Sequence, residues 1–289
     1  MFCDVIFDLT EWSVCGMIVV RTYPKGVAMN TTDICLRLSK ERAALPVYCY
    51  DSIDSTNAEG KRMTLPRDVN AALILADTQT AGRGRMDRSF YSPANTGLYM
   101  TLVLRVPSVP CSPQGLTPAV AVAAVRAIKA LTDAPVAIKW VNDLYANGRK
   151  IGGILVEASP DGAMTRLVMG IGINLTTQGF PDGMRAPVGA LADVCASVPS
   201  PEALAAAITE QLLALIPDGL QNGFDSILPD YRALSLLQPG DPVLVYRGIS
   251  NTPTEATVLG IADDFSLSVT LQNGLTTSLS DGEVSVRGV

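Results

Sequence analysis

Asn147-Gly148 lies between two runs of β-formers, Val136–Trp140 and Ile151–Glu157. An Asn-Gly pair suits a two-residue turn with positive φ, whose twist matches that of adjacent strands. The spacing therefore predicts that the two runs pair across it. Similar strand signals recur upstream and downstream. Val47–Tyr50, Ala71–Ala76, Leu98–Val106 (ended by Pro107) and Arg166–Leu175 read as strands. Pro118–Thr132 is rich in Ala and Val and reads as a largely buried helix. Pro201–Ile216 opens with Pro and then Glu, as a helix start should, and Asp218–Leu237 holds a further helix. Asp54-Ser55-Thr56-Asn57 has the chemistry of a cap or turn, because these side chains accept hydrogen bonds from free backbone amides.

After Gln238-Pro239-Gly240 the pattern changes. Val243–Tyr246, Thr254–Ile261, Leu267–Leu271, Leu275–Ser278 and Val284–Arg287 read as short strands, with turns at Ala262-Asp263-Asp264, Asn273-Gly274 and Asp281-Gly282. That density predicts a small β-barrel over residues 238–289, following a mixed α/β region over 45–237. Residues 1–44 read as an N-terminal extension of unclear role. Within it, residues 1–28 fit no element: they are either an irregular extension or a stretch upstream of a start at Met29.

Apolar residues make up 48% and charged residues 17%, which favours a sizeable core over disorder. The net charge of −6 argues against a protein that grips nucleic acid. There is no histidine. That excludes a Ser-His-Asp triad, a Cys-His pair and any histidine general base or zinc ligand. Cysteines at 3, 15, 35, 49, 111 and 195 form no C-x-x-C pair and read as reduced thiols. No unbroken apolar run reaches the roughly 18 residues of a membrane span. The acidic residues Asp4, Asp8 and Glu11 ahead of Met17–Val20 are unlike a signal peptide. The expectation is a soluble, cytoplasmic protein with no membrane partner.

Four segments carry chemistry. In Gln79–Arg88, alternating Gly and Arg lets backbone amides form an anion-binding nest while guanidinium groups surround it. A flexible loop with solvated arginines has the same composition. In Ile138–Tyr145, Lys139, Val141 and Asp143 would share one face of a strand. The lysine could neutralise a carboxylate or phosphate, and the aspartate could hold a metal; an edge strand with a surface ion pair reads the same way. In Arg149–Glu157, Gly152-Gly153 lets something approach the backbone closely, or marks a bulge. In Gly170–Leu175, alternating glycines leave a face against which a ligand could lie, with Asn174 near the strand end.

In order and combination these segments resemble the biotin–protein ligases, with Asp54–Asn57 ahead of them and Gly282–Arg287 closing the chain. The resemblance runs from about Ser52 to the C-terminus. It implies an α+β fold: a mixed sheet flanked by helices, like a class II synthetase catalytic domain, then a small SH3-like β-barrel. It implies joining of biotin to ATP as biotinyl-5′-AMP, with Mg2+ carrying the polyphosphate charge. Transfer then follows to a lysine of a biotin carboxyl carrier protein, typically that of acetyl-CoA carboxylase. By similarity, Ser55, Thr56, Asn57 and Gln79 contact the biotin ring. Arg83, Gly84 and Arg85 belong to the loop that closes over biotin and the adenylate, with Arg85 retaining the intermediate. Lys150 meets the biotin carboxylate beside Gly153. Lys139 and Asp143 serve the phosphate and metal side. Asn142, Asn174 and Arg88 contact the nucleotide, and Phe90 packs on adenine where the family often has Trp.

Two departures stand out. Met86 and Asp87 replace a basic residue and the last glycine of the family loop, and Val141 replaces a proline. Bifunctional relatives also carry a winged helix-turn-helix, whose pattern residues 1–44 lack. The expectation is a monofunctional ligase without operator DNA; the resemblance leaves a homodimer open. The competing readings are a lipoate–protein ligase of the same superfamily and a DNA-binding regulator that only senses biotin.

Overall fold

The computed structural model describes residues 29–86, 88–107, 115–181, 187–247, 252–280 and 284–288. The segment 1–28, Asp87 and the Asp281–Glu283 part of the closing motif lie outside the described residues.

A seven-stranded mixed sheet organises the larger part of the chain. Its strands are β1 (Val47–Ile53), β2 (Ala71–Gln79), β3 (Gly97–Pro107), β4 (Ala137–Lys139), β5 (Asp143–Ala146), β6 (Arg149–Asp161) and β7 (Met164–Asn174). Their spatial order is β1-β2-β3-β7-β6-β5-β4. Only β1 and β2 run parallel, joined through helix α2 (Thr56–Arg62); the other neighbours are antiparallel. Residues 71–76 of β2 and 97–104 of β3 are buried on both faces, which explains why both runs are apolar but for Thr101. Helices α3 (Leu116–Leu131) and α4 (Pro201–Asn222) pack together over the face carrying Leu73, Leu75, Leu98 and Leu102. Helix α2 covers part of the opposite face, where a Cβ on Gly60 would come within 2.9 Å of Val103.

The Asn147-Gly148 hairpin forms, but between different partners than the sequence suggests. It joins β5 to β6, while Val136–Trp140 contributes only β4, which pairs with β5. The reversal at Trp140–Asn142 makes the difference: Lys139 and Asp143 face each other across it rather than following one strand. Val141 is therefore not on their face and is buried in the core.

Helix α4 continues past Ile216, through Pro217 to Asn222. It has the length and overall composition of a membrane span. Leu204, Ile208, Leu212 and Ile216 are nonetheless buried, and the helix packs on α3 as a core helix does. A further short helix, α1 (Thr31–Arg37), was not evident from the sequence. Asn30 caps it, accepting from the Thr32 and Asp33 amides. Met29, Ile34 and Leu38 enter the core, and Arg42 pairs with Glu210 on α4. Residues 29–45 are thus built into the larger unit.

Arg166 on β7 ties down the C-terminus of α2. Its guanidinium is buried and donates to the carbonyls of Gly60, Lys61 and Met63 at the helix C-terminus. It is also held by Asp161 at 2.8 Å. Hydrogen bonding from Arg166 holds the Asp161 carboxyl below the ordinary carboxylate range, with the charges of Arg166 and Arg105 adding to it. A carboxylate depressed on folding stabilises above its unfolded value, near 4, and that contribution is lost as pH falls through the lower folded value. Urea unfolding of Asp161→Asn from pH 6 to 3 should therefore show a smaller acid-induced loss than the parent. A constant gap between the two at every pH would refute this.

The remaining strands are β8 (Pro242–Arg247), β9 (Thr254–Ile261), β10 (Leu267–Leu271), β11 (Thr276–Leu279) and β12 (Val284–Gly288). They form an antiparallel five-stranded sheet in the order β11-β10-β9-β8-β12, the expected small β unit. Helix α5 (Leu228–Leu234) connects it to the larger sheet: Arg232 donates to the Ile261 carbonyl and pairs with Asp263.

Candidate active site

Strand register puts the site in one row across the larger sheet. Ala76, Tyr99, Gly172, Gly153, Asp143 and Lys139 are successive cross-strand partners on β2, β3, β7, β6, β5 and β4. Residues in such a row share a face. Of the two adjacent glycines, Gly172 is covered by the Phe90 ring, so the hollow lies over Gly153 beside Asp143. The Gly152-Gly153 dipeptide divides its work. A Cβ on Gly152 would sit 2.6 Å from the Gly172 carbonyl, so that glycine admits the neighbouring strand. At Gly153 a Cβ would reach only ordinary contact with Asp143 and Lys150, 3.5 Å away.

A β-bulge at Ile151 brings Lys150 into this row. Leu144 pairs with Gly152 but Tyr145 pairs with Lys150, so one residue of β6 is extra. Lys150 and Gly153 thereby share the face of Asp143, which regular alternation would forbid. The Lys150 ammonium lies 2.6 Å from Asp143 Oδ1. Lys139 stands 5.2 Å over the Tyr145 ring. Burial pushes the Tyr145 phenol up, and the Asp143 carboxylate adds to that shift.

The start of α2 forms the opposite wall. Ser55 is the N-cap and accepts from the Ala58 amide. Gln79 Oε1 receives the Thr56 amide at 2.9 Å and the Thr56 hydroxyl at 3.1 Å, while its Nε2 donates to Ser92 Oγ, which in turn donates to the Phe90 carbonyl. Asn57 is fully committed to the protein. Its Nδ2 donates to the Leu155 carbonyl and to Glu157, and its Oδ1 accepts from Thr101 at 2.7 Å. The alternating glycines of β7 serve protein side chains: a Cβ on Gly170 would meet Asn57 at 1.9 Å, and one on Gly172 would meet the Phe90 ring at 2.6 Å.

The Gly/Arg segment folds back as a lid. Arg83 bridges to Ser89, Gly84 donates to the Arg88 carbonyl, and the Phe90 amide donates to the Gly82 carbonyl. Met86, at the tip, takes φ 54°, a left-handed conformation that glycine adopts at less cost. Arg85 reaches across to Asn142 Oδ1 at 3.0 Å, and Asn142 Nδ2 donates to the Ile154 carbonyl. The lid is thus tied to the reversal that precedes Asp143.

The two lid glycines have unequal roles. A Cβ on Gly82 would fall 2.4 Å from the Phe90 carbonyl oxygen, whereas one on Gly84 would lie 3.4 Å from that of Arg88. Gly82→Ala should cost about 1–3 kcal/mol, as overpacking against backbone does, and Gly84→Ala within about 0.5 kcal/mol. Thermal unfolding of both variants checks the contrast; equal effects would refute the lid geometry.

Together these elements line an open pocket of about 150 Å³. Among the described residues, Arg83, Arg85, Arg88, Lys139 and Lys150 line it with one carboxylate, Asp143. In a chain of net charge −6 this concentration of cations marks an anion site.

The pocket and its row of strands lie within the segment matched by a model of the biotin/lipoate A/B protein ligase family, residues 50–174. The bifunctional ligase/repressor BirA of Bacillus subtilis is 35% identical over 170 residues, covering 57% of this chain and 52% of that protein. The chain thus spans about half the length of that relative. A biotin–[acetyl-CoA-carboxylase] ligase of Mycobacterium tuberculosis is 32% identical over 187 residues, covering 63% of this chain and 68% of that one. The chain belongs to the biotin–protein ligase family. A solved biotin protein ligase from Aquifex aeolicus, in complex with biotin and ATP, shares the fold at TM-score 0.72 and 21% identity, over 84% of this chain and 99% of that one.

Within this biotin–protein ligase family fold, the pocket gathers Ser55, Thr56, Asn57, Gln79, Arg83, Gly84, Arg85, Arg88, Phe90, Lys139, Asn142, Asp143, Lys150 and Gly153. Asn174 does not line it. Its Nδ2 donates to the Gly189 carbonyl, beside the segment that runs along Lys150. The sequence reading missed Thr101, Ser92 and Glu157, which hold Asn57 and Gln79 in place. Thr101 sits mid-strand in a buried apolar run, and a lone hydroxyl there was the available signal.

Proposed function

We propose that this chain is an ATP-dependent biotin–protein ligase that forms biotinyl-5′-AMP and passes the biotinyl group to a lysine of a biotin carboxyl carrier protein, that of acetyl-CoA carboxylase. In the first step a biotin carboxylate oxygen bonds to the α-phosphorus of ATP and pyrophosphate leaves. In the second, the lysine amine attacks the acyl carbon, AMP leaves and the amine loses a proton. The observation that carries this reading is that, among the described residues, the pocket sets five cations against one carboxylate beside the hollow over Gly153. Two anions must meet in the first step, and fixed positive charge lowers that repulsion and stabilises the charge developing on phosphate.

In this reading Lys150 holds the biotin carboxylate over Gly153, while Ser55, Thr56 and Gln79 face the ring. Asn57 acts by fixing the start of α2. Arg85, hydrogen-bonded to Asn142, closes the lid over the adenylate, and Arg83, Arg88 and Phe90 complete that side. Lys139 and Asp143 face the polyphosphate. No cluster of three acidic or thiol side chains suited to a metal occurs among the described residues. The donor set fits Mg2+ in the way nucleotide sites hold it, through one carboxylate, here Asp143, with phosphate oxygens and water completing the shell. When bound, the ion would neutralise polyphosphate charge. ATP as a substrate, and the free thiols Cys35, Cys49 and Cys195, suit a cytoplasmic setting.

The test is incubation with radiolabelled ATP and either biotin or lipoate, followed by transfer to a purified carrier domain. Biotin-dependent adenylate and a biotinylated carrier are expected. Adenylate with lipoate alone would assign the chain to the other branch of its family, and no adenylate with either would overturn the proposal.

A further inference from the structure

The reversal that carries Trp140, Val141 and Asn142 is held from outside its own sheet. The Trp140 indole N–H donates to the Phe265 carbonyl at 3.0 Å, across 125 residues of chain. The Tyr231 hydroxyl donates to the Val141 carbonyl at 3.2 Å. Tyr231 and Phe265 meet edge to face, 5.8 Å between centroids. All three aromatic side chains are buried, so none of these bonds competes with bulk water.

Phe265 occupies the turn between β9 and β10 of the small sheet, at φ 64°. That turn is itself fixed: the Phe265 amide donates to the Ala262 carbonyl and the Ala262 amide to the Ser266 carbonyl. Arg232, next to Tyr231 on α5, grips the same turn through the Ile261 carbonyl and Asp263. On its other side the reversal meets the site directly, with Lys139 and Asp143 flanking it and Asn142 bound to Arg85 on the lid.

We infer that Tyr231 and the β9–β10 turn are positioning elements for the nucleotide side of the site: the small sheet fixes the Trp140–Asn142 reversal, and so the placement of Lys139, Asn142 and Asp143. The inference rests on the ligase reading and adds a division within it. Among the described residues, the hydrogen bonds given for the biotin-ring side, Ser55, Thr56 and Gln79, come from α2, β2, β3 and Ser92. Disturbing the buttress therefore separates the two substrates.

Tyr231→Phe removes the hydroxyl and keeps the ring on Phe265. At 25 °C its kcat/KM for ATP in adenylate formation should fall roughly tenfold, the scale of one buried hydrogen bond, with biotin affinity by calorimetry within twofold of the parent. Amide exchange at residues 140–143 should quicken without any substrate present. Trp140→Phe, which deletes the other bond, should quicken the same amides. A general loss of stability would lower both substrate constants together. Equal losses for biotin and ATP, unchanged ATP kinetics, or unchanged exchange at 140–143 in both variants would each overturn the inference. If the parent forms no adenylate, the ligase reading has failed, while the exchange measurement still decides whether the buttress exists.

Discussion

Lys150→Ala should lower the rate of biotinyl-adenylate formation by about 10²–10³, the cost of removing one donor that stabilises developing charge, while the protein stays folded. The first half follows from two losses at once. The variant loses the ammonium that overlies Gly153, and it leaves the Asp143 carboxylate, formerly 2.6 Å away, without that partner among anionic substrates. The second half follows from the backbone. The Lys150 amide donates to the Pro187 carbonyl and its carbonyl accepts from the Gly189 amide, so the strand position does not depend on the side chain. The Lys150 and Asp143 side chains are each more than a quarter exposed, and such a pair contributes within about 1 kcal/mol to stability. Rapid-quench measurement of adenylate, with thermal unfolding alongside, separates the two halves. Turnover at the parent rate would remove Lys150 from the chemistry.

Much of this site was legible before the fold was known, for a specific physical reason. The residue types that handle anions, Arg, Lys and Gly, are uncommon inside apolar strands, so their clustering stood out at Arg83–Arg88 and Lys139–Gly153. The β9 and β10 boundaries were also legible, because short strands ended by Asp, Asn and Gly leave little freedom. Relations between strands were not legible. The Gly152-Gly153 pair allows a bulge but does not give its place; the extra residue is Ile151, and it puts Lys150 on the face of Asp143. The spacing of Lys139 and Asp143 suits one strand with side chains in step, but they are opposed across a reversal. Helix α1 escaped because seven residues give too short a period, although Asn30 with Asp33 was a cap signal. Nor does anything local announce that Asn174, expected at the nucleotide, donates through Nδ2 to the Gly189 carbonyl.

Gly170 shows the same limit from the other side, and it gives the largest stability effect expected outside the catalytic groups. The alternating glycines suggested room for a ligand, but the space over Gly170 is filled by Asn57. A Cβ there would stand 1.9 Å from Asn57 Oδ1 and 2.7 Å from its Cγ. Asn57 cannot move aside cheaply. It is 4% exposed, and its carboxamide satisfies the Leu155 carbonyl and the Thr101 hydroxyl, the latter on a residue with no exposure. Gly170→Ala should therefore leave buried polar groups unpaired, at about 1–3 kcal/mol for each, for a total of about 3–5 kcal/mol. Biotin affinity should fall too, since Asn57 anchors the turn that presents Ser55 and Thr56. The decisive comparison is with Asn57→Ala. That change alone also breaks the network, but it clears the space in which the new methyl would sit. Gly170→Ala added to Asn57→Ala should then cost far less than Gly170→Ala added to the parent, a coupling of about 1–3 kcal/mol between contacting residues. Urea unfolding of the four proteins measures it. Strictly additive effects would mean that the methyl and the carboxamide never compete for the same space, and the account of Gly170 would be wrong.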